Sequence, residues 1–534
     1  MERVVVLAIG LENPNHVGMN THHATRTTGR ALGLFGLGLG LLAVALLGGC
    51  GSGRPGGGAE GTVTSRVSSN VPLLDGDITD WPSDKVLAAD ANYLYFRFTV
   101  QDREFTLQRA PQSVVMFIDA DGSASTGLRM GEPELSSLGI DLEIEFSPRT
   151  QEGVGVQVFE VRSDGSRSPI GANDAGVEFS PTYASVWYEG RIRRKTRVQA
   201  ELPEGGMRSI GRAGTFFATL TPEATLDQYS DPSFVDLPRA SATFESVRRD
   251  VRIPRQAANS VRVVSWNVLR SSPMSKPDVF KRMFDALNPD IILVQEWEVT
   301  DAQTLLDYFQ RNTPLASGWH VFSTETDMGH GGGVAVISRY PLSGGPALLT
   351  TAPNSQAGRS ADVRFISAVV SGTPCGEILV GSTHLKSGGS KGSPEDLRRM
   401  AEAEAINTAW KEFAAAGKAP KGRVIAGDMN LVGSRPPLEV LATGLDADGS
   451  ELSMANAKVL GDNTLSTWYN KAESFTPGRL DYVLFSDSSL MVADSFVLDT
   501  RRLSDAALMG IGLDVSDSDA SDHMPVVVDF VTRR

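Results

Sequence analysis

The sequence predicts two folded parts in one chain: an all-β sandwich, then an α/β (α+β) domain built as a four-layered β-sandwich, two packed sheets flanked by helices. Three observations carry that expectation. Between about Val71 and Phe244, short alternating apolar runs are separated by turn residues, the pattern of an antiparallel sandwich. Beyond about Val261, strands alternate with segments of helical periodicity, which calls for sheets covered by helices. Between them lies a stretch rich in charge and poor in aromatics, Ser246 to Ser260. With 534 residues, 41% hydrophobic and 21% charged, the chain has material for two cores of ordinary composition.

The first fifty residues read differently. Arg26 and Arg30 precede an apolar run from Ala31 to Leu47, the positive and apolar parts of an export signal, and Leu47-Gly48-Gly49-Cys50 follows at once. This tetrapeptide resembles the lipobox of bacterial lipoproteins, in which the cysteine is lipidated and becomes the new N-terminus. An uncleaved membrane anchor is the alternative, since about 20 apolar residues span a bilayer. Either way the bulk is expected outside the cytoplasm, at the cell envelope, tethered to a membrane through Cys50. Residues 1–18 do not look like an export signal, so the natural start is expected at Met19. Residues 51–70 are a Gly-dominated tether. The domain plan is therefore 1–50 signal, 51–70 tether, 71–245 sandwich, 246–260 linker and 261–534 second domain, with the protein expected to be a monomer.

In the sandwich, strands are predicted at Tyr93–Val100, Val114–Ile118, Leu142–Phe146, Val156–Phe159 and Thr215–Leu220. In the second domain they are predicted at Val261–Val268, Asp290–Glu296, Gly333–Ser338, Val363–Val370, Ile378–His384, Val424–Asp428, Leu480–Phe485 and Val526–Phe530. A helix is predicted over Pro277–Leu287. A longer one starts at the N-cap Ser393, with Pro394 in its first turn, and stops at Gly417; its apolar face is expected to be Leu397, Met400, Ile406, Trp410 and Phe413.

The formal charge of −14 argues against a protein that holds nucleic acid over a long footprint, because such binding is driven by neutralising phosphates with a basic face. A small phosphorylated substrate, or a short contact with nucleic acid, stays open, since a bound metal can supply positive charge locally.

Six short strings in the second domain end a predicted strand on a polar residue: Ser265-Trp-Asn267, Val294-Gln-Glu296, Ser382-Thr-His384, Gly427-Asp-Met-Asn430, Arg479-Leu-Asp481 and Ser521-Asp-His523. Buried strands seldom finish on such groups unless the groups converge. In order, the six strings resemble the motifs of the endonuclease/exonuclease/phosphatase superfamily, the deoxyribonuclease-I-like fold. The resemblance implies hydrolysis of a phosphodiester or phosphomonoester with Mg²⁺ or Mn²⁺, whose main carboxylate would be Glu296, completed or oriented by Asn267 and Asp522. It further implies that Asp428 positions or deprotonates the attacking water and that Asn430 holds the phosphate. His523, bonded to Asp481, would be an acid/base or phosphate ligand, and His384 the second histidine of the site. The substrate could be nucleic acid, a nucleotide, a phospholipid or an inositol phosphate. A tyrosine that the abasic-site repair enzymes of the family carry between the Glu and Asp-x-Asn motifs has no match here. Lys386 and Arg398 are expected either on phosphate or in solvent. His320 and His330 are expected to be structural or surface residues, with a substrate contact open to His330, and Cys375 receives no catalytic role. The alternative function is a catalytically inactive surface-binding lipoprotein.

In the first domain, Leu74-Asp-Gly-Asp-Ile-Thr-Asp-Trp-Pro82, Tyr93-Leu-Tyr95 and Phe117–Gly127 resemble β-sandwich modules of carbohydrate-binding family nine and the DOMON-like group, which implies a glycan ligand; an inert spacer reads equally well. Asp119, Asp121 and Asp75 could supply oxygens to Ca²⁺, or Asp-Ala-Asp-Gly could simply make a tight turn.

Overall fold

The computed structural model describes residues 71–533 apart from 100–102, 111, 149–153, 195–211, 221–225, 239–247, 255, 299–300, 324–332 and 353–359. The expectations placed on the signal, Cys50, the tether and His330 lie outside the described residues. All described residues belong to one compact unit.

The first part is an antiparallel sandwich. One sheet runs in the order Leu87–Ala89, Tyr93–Phe98, Tyr188–Arg193, Glu178–Ser180. The other is centred on Val114–Asp119, between Arg212–Leu220 and Leu142–Phe146. Phe96, Phe98, Phe146, Phe179, Tyr188 and Phe217 fill the space between them. The predicted strands are all present, some longer than expected, because edge residues such as Arg212 and Val161 continue the ladder without changing the apolar alternation.

The second part has two sheets stacked on a shared core. The seven-stranded sheet carries Val261–Asn267 at its centre, parallel to Ile291–Gln295 and antiparallel to Val526–Thr532. The six-stranded sheet carries Gly376–His384 parallel to Gly422–Asp428, which pairs antiparallel with Asp481–Phe485. Val263, Val336, Ile366, Val380, Val424, Val483 and Val528 meet between the sheets beside Leu293, and their β-branched shapes suit two facing pleated surfaces. Helix Pro277–Leu287 covers the outside of the first sheet and helix Pro394–Ala415 the outside of the second. The four-layered expectation is met.

One expectation for the long helix is corrected. Its N-cap is Ser393, whose side chain accepts from Asp396 N, and the helix gives out just before Gly417, which sits at φ 71°, a left-handed backbone that suits glycine. The inward face, however, is not the predicted apolar stripe: Leu397 and Met400 are only half-buried, whereas Asp396, Arg399 and Glu402 are buried beside Ile406 and Trp410. The charged residues are inward because the N-terminal half of this helix faces polar loop backbone. Arg399 donates to Gly388 O (2.7 Å) and to Asp396, while Asp396 accepts from Gly392 N and Ser434 N and Glu402 accepts from Lys386 N (2.7 Å). Those loops follow His384 and Asn430.

The sandwich is bound tightly to the second part. Thr182 Oγ1 donates to Leu431 O (2.7 Å) and to Arg479 O (3.2 Å), and Ala184 N donates to Gly433 O (2.9 Å). Thr106 Oγ1 accepts from Lys391 N, and Gln108 from Thr476 N. The described part of the expected linker is also engaged, since Arg249 forms a parallel bridge with Leu503 and Arg248 pairs with Asp505.

Candidate active site

Strand register brings the chemistry together. His384 lies opposite Asp428, and Asp428 opposite Asp481, on three neighbouring strands of one sheet. Residues in register share a face, so one imidazole and two carboxylates are set side by side. The facing sheet supplies Asn267 at the end of its central strand, with Glu296 just past Gln295 in the parallel neighbour. His523 is added by the segment that leads into Val526–Thr532. Two hydrogen bonds lock that segment: Trp266 Nε1 donates to His523 O (2.9 Å) and Ser521 Oγ donates to Asn267 O (2.8 Å). Beneath the site, Ser382 Oγ donates to Val294 O and accepts from Gln295 Nε2, joining the sheets by polar contacts.

The local backbone explains two motif positions. Gly427 is required because a Cβ there would meet Thr383 O at 1.9 Å, across the parallel pair that holds His384 and Asp428 level. Glu296 and Asn430 take left-handed backbone, φ 57° and 47°, uncommon for residues with side chains, and so leave their strands sharply at the site.

The centre is one carboxylate oxygen. Asp428 Oδ2 lies 3.1 Å from Asn267 Nδ2, 3.4 Å from His384 Nε2 and 3.6 Å from His523 Nε2. The other oxygen accepts from Asn430 N (3.0 Å). Burial pushes the Asp428 carboxyl up to about 7, with the His523 charge opposing and Asp481 and Glu296 adding to the rise. His523 Nδ1 is 2.7 Å from Asp481 Oδ2, which also accepts from Thr467 Oγ1 (2.6 Å). Burial works against the imidazolium, but the carboxylates of Asp481 and Asp428 outweigh it and hold His523 well above the ordinary imidazole range. Asp481 therefore fixes Nδ1 as the protonated donor and turns Nε2 toward Asp428.

Asn267 Nδ2 also donates to Glu296 Oε1 (3.1 Å), and His384 Nε2 lies 3.7 Å from that oxygen. Ligand atoms of Glu296, His384 and Asp428 all lie within 4.8 Å of one another. Two carboxylates converging on one amide repel each other unless a cation lies between, and hard oxygen donors of this kind suit Mg²⁺ or Mn²⁺. The residues thus fit the ion that the family resemblance implies. Asp522 is placed differently from Glu296: it is half-buried, lies outside that group of ligand atoms, and accepts from Trp468 Nε1 (3.3 Å). Asn430 donates its amide to Leu385 O (3.2 Å), tying the loop after His384 to the loop after Asp428.

The structure adds a residue that the strings do not contain, Arg364. Its Nη1 lies 3.1 Å from His384 Nδ1 and its Nη2 donates to Leu385 O (2.7 Å). A guanidinium has no acceptor, so His384 Nδ1 must accept and the ring proton sits on Nε2, facing Asp428 and Glu296. The signal available in the sequence is faint: an arginine inside the apolar run Val363–Val370. Replacement by Met is expected to lower kcat about 10- to 100-fold with little change in KM, because the hydrogen bond that orients a reacting group is lost. Steady-state kinetics on bis(p-nitrophenyl) phosphate would measure it; a wild-type kcat would count against this role.

The remaining candidates sit apart. Arg398 is held by Glu402 (2.9 Å), and Lys386 Nζ donates to Ser387 O. His320 is half-buried in the strand His320–Ser323, and Cys375 Sγ reaches Phe530 O. In the sandwich, Asp119, Asp121 and Asp141 approach within 4.8 Å. Asp119 already accepts from Gly122, Ser123 and Gly139 N–H groups, as a tight turn requires, and Asp75 lies outside the group.

Residues 264–523 match the profile of the Endonuclease/Exonuclease/phosphatase family. A search of the curated proteins found no match. Similar solved structures include a 3′ phosphatase, NExo, from Neisseria, bound to a product DNA hairpin (18% identity, 51% of this chain and 99% of that chain, TM-score 0.34). Others are TDP2 from D. rerio with a single-strand DNA product (15%, 51% and 98%, 0.31) and an endonuclease/exonuclease/phosphatase from Bacteroides vulgatus (14%, 51% and 99%, 0.35).

Proposed function

We propose, from the premise that the C-terminal half of the chain belongs to the Endonuclease/Exonuclease/phosphatase family, that this phosphoric ester hydrolase cleaves phosphodiesters by direct attack of water. The observation that carries the reading is the register of His384, Asp428 and Asp481 on three adjoining strands, with His523 bonded to Asp481. A divalent ion held by Glu296, with Asn267 and Asp522 orienting the site, would neutralise charge on a phosphoryl oxygen. The protein side chains supply the proton chemistry. Asp428 is buried between two imidazoles and is the group suited to take the proton of an attacking water. His523, protonated at both nitrogens, presents an Nε2–H that can be given up to a leaving oxygen, and Asp481 stabilises the charge it carries. His384 offers Nε2–H as a donor to phosphate oxygen. Asn430 holds the floor of the site in place.

Turnover of bis(p-nitrophenyl) phosphate with Mg²⁺ or Mn²⁺ tests the reading. Removal of divalent ions with a chelator is expected to lower kcat by at least about 10³, and added metal to restore it. Full activity in the chelator would sink metal dependence. Absence of any phosphate-ester turnover with metal present would leave the surface-binding alternative.

A further inference from the structure

One turn of the sandwich, between strands Glu178–Ser180 and Tyr188–Arg193, lies against two catalytic loops at once. The first loop runs on from Asp428 through Asn430, and the second leads from Trp468 to Asp481. Strand pairing carries their backbones together only as far as Met429 N, which donates to Leu480 O (2.9 Å). Beyond that bond Asn430 turns away at φ 47°, and the next tie between the loops comes from the sandwich. Thr182 Oγ1 donates to Leu431 O (2.7 Å) and lies 3.2 Å from Arg479 O. Leu431 is fully buried, so its carbonyl has no route to water, and among the described residues Thr182 is its only donor. The Thr182 methyl fills the space beside Gly478, where a Cβ would meet it at 2.4 Å. Two residues on, Ala184 N donates to Gly433 O (2.9 Å).

The sandwich also grips the second loop along its length. Asn173 Nδ2 donates to Asn470 O (3.4 Å), Val156 N to Ser474 O (2.9 Å), and Gln108 Oε1 accepts from Thr476 N (3.1 Å). The Arg109 guanidinium lies 5.3 Å from the centre of the Phe475 ring. What this loop carries is part of the active site. Trp468 bridges His523 along the backbone and gives its indole N–H to Asp522 (3.3 Å), and Trp468 N and Gly478 N each donate to the other residue's carbonyl. Gly478, on which Thr182 rests, is thus the backbone partner of the residue that holds Asp522.

We propose that the sandwich is a working part of the catalytic centre and that Thr182 is its positioning residue, holding the Asn430 turn against the Trp468–Asp481 loop so that Asn430 and Asp522 stay aimed at the site. A displacement well under the length of a bond is enough to cost rate when reacting groups must be aligned, and Thr182 acts only through the two loops it joins. This assigns the sandwich a task that neither a spacer nor a glycan module has. The catalytic consequence rests on the phosphodiesterase reading; the clamp on the loops does not.

The experiment uses the full chain with Thr182→Val, which keeps the shape and removes the donor, and Thr182→Ser, which returns it. On bis(p-nitrophenyl) phosphate with Mg²⁺, Thr182→Val should lower kcat about tenfold with KM within about twofold of wild type, and Thr182→Ser should restore kcat to within about twofold. Thr182→Ala takes the place of the valine variant if that one does not fold. A wild-type kcat in the variant without the hydroxyl overturns the proposal, as does an equal loss in Thr182→Ser. Amide hydrogen exchange on the metal-free chain, read over peptides 429–434 and 467–481, tests the clamp without turnover. Exchange there should be about fivefold faster in Thr182→Val and unchanged in Thr182→Ser, with the sandwich strand Val114–Asp119 exchanging as in wild type. If the wild type turns over no phosphate ester, the phosphodiesterase reading fails and exchange alone decides the clamp. Unchanged exchange in Thr182→Val removes it.

Discussion

Asp428→Asn is expected to lower kcat on bis(p-nitrophenyl) phosphate by about 10³ or more while leaving thermal stability near wild type. Asparagine keeps the shape and can still accept from Asn430 N, so the loop that begins at φ 47° should persist. What disappears is the charge that Asn267, His384 and His523 surround, and with it the proton acceptor. His523→Gln should give a loss of similar size, and the double variant little more than either single one, because residues that act as a unit lose their effect together. The wild-type rate should also fall on acidification. Asp428 must be ionised to accept a proton, and burial raises its carboxyl to about 7, so an acid limb is expected at or below that pH. A bound divalent ion favours the ionised form and can only move the limb downward. A limb near 8 or above, or an Asp428→Asn variant at wild-type rate, would contradict this assignment.

Arg191→Met is expected to destabilise the protein by about 3–5 kcal/mol in denaturant unfolding. Arg191 is fully buried at the junction of the two parts and makes both nitrogen pairs count. Its Nε and Nη2 donate to Glu178 Oε2 (2.9 and 2.6 Å), while Nη1 and Nη2 donate to the two oxygens of Asp462 (2.6 and 2.8 Å). The guanidinium also covers the Tyr93 ring at 4.1 Å. Methionine would fill much of the volume but leave the Glu178 carboxylate without its cation and Asp462 with only the longer pair to Arg502 (3.5 Å). Burial alone would raise Asp462, yet Arg191 and Arg502 hold it well below the usual carboxylate range. Its contribution to stability is therefore present above the unfolded carboxylate value and lost as pH falls through the folded one. The Arg191→Met variant should lose part of that acid dependence along with the stability, the rest being kept by Arg502. Replacing Glu178 and Asp462 together with Arg191 by apolar residues should cost less than Arg191→Met alone, since no buried charge is left unpaired. A loss under about 1 kcal/mol for Arg191→Met would show that the junction does not depend on this network.

Much of the catalytic half is legible from the chain. Strands such as Val261–Asn267 and Gly422–Asp428 carry an apolar core with β-branched residues and end on a polar group, and the Pro277–Leu287 helix begins at a proline and ends before Asn288 in left-handed backbone. These are local signals, written in adjacent residues. The strings holding Asn267, Glu296, His384, Asp428, Asp481 and His523 also follow from order along the chain, because each lies at a strand end or at the turn just beyond it. Arg364 is not visible in this way. Nothing in its neighbours distinguishes an arginine that donates to His384 from one that faces solvent, and only the pairing of Phe365–Thr373 with Gly376–His384 brings it there. The inward face of the long helix misleads for the same reason, since Asp396, Arg399 and Glu402 are buried against loop backbone from elsewhere in the chain.

The sequence by itself determined the two sheet-built parts, the strand ends on which the reactive groups sit, and the carboxylate and imidazole residues that make up the site. The tertiary structure alone decided that the sandwich is bolted to the catalytic loops through Thr182 and Ala184, and to Asp462 through Arg191. Hydrophobic period and capping act over a few residues and can be read along a chain. Pairing between residues some 270 positions apart, as for Arg191 and Asp462, is fixed only when separate surfaces pack and their buried charges find partners.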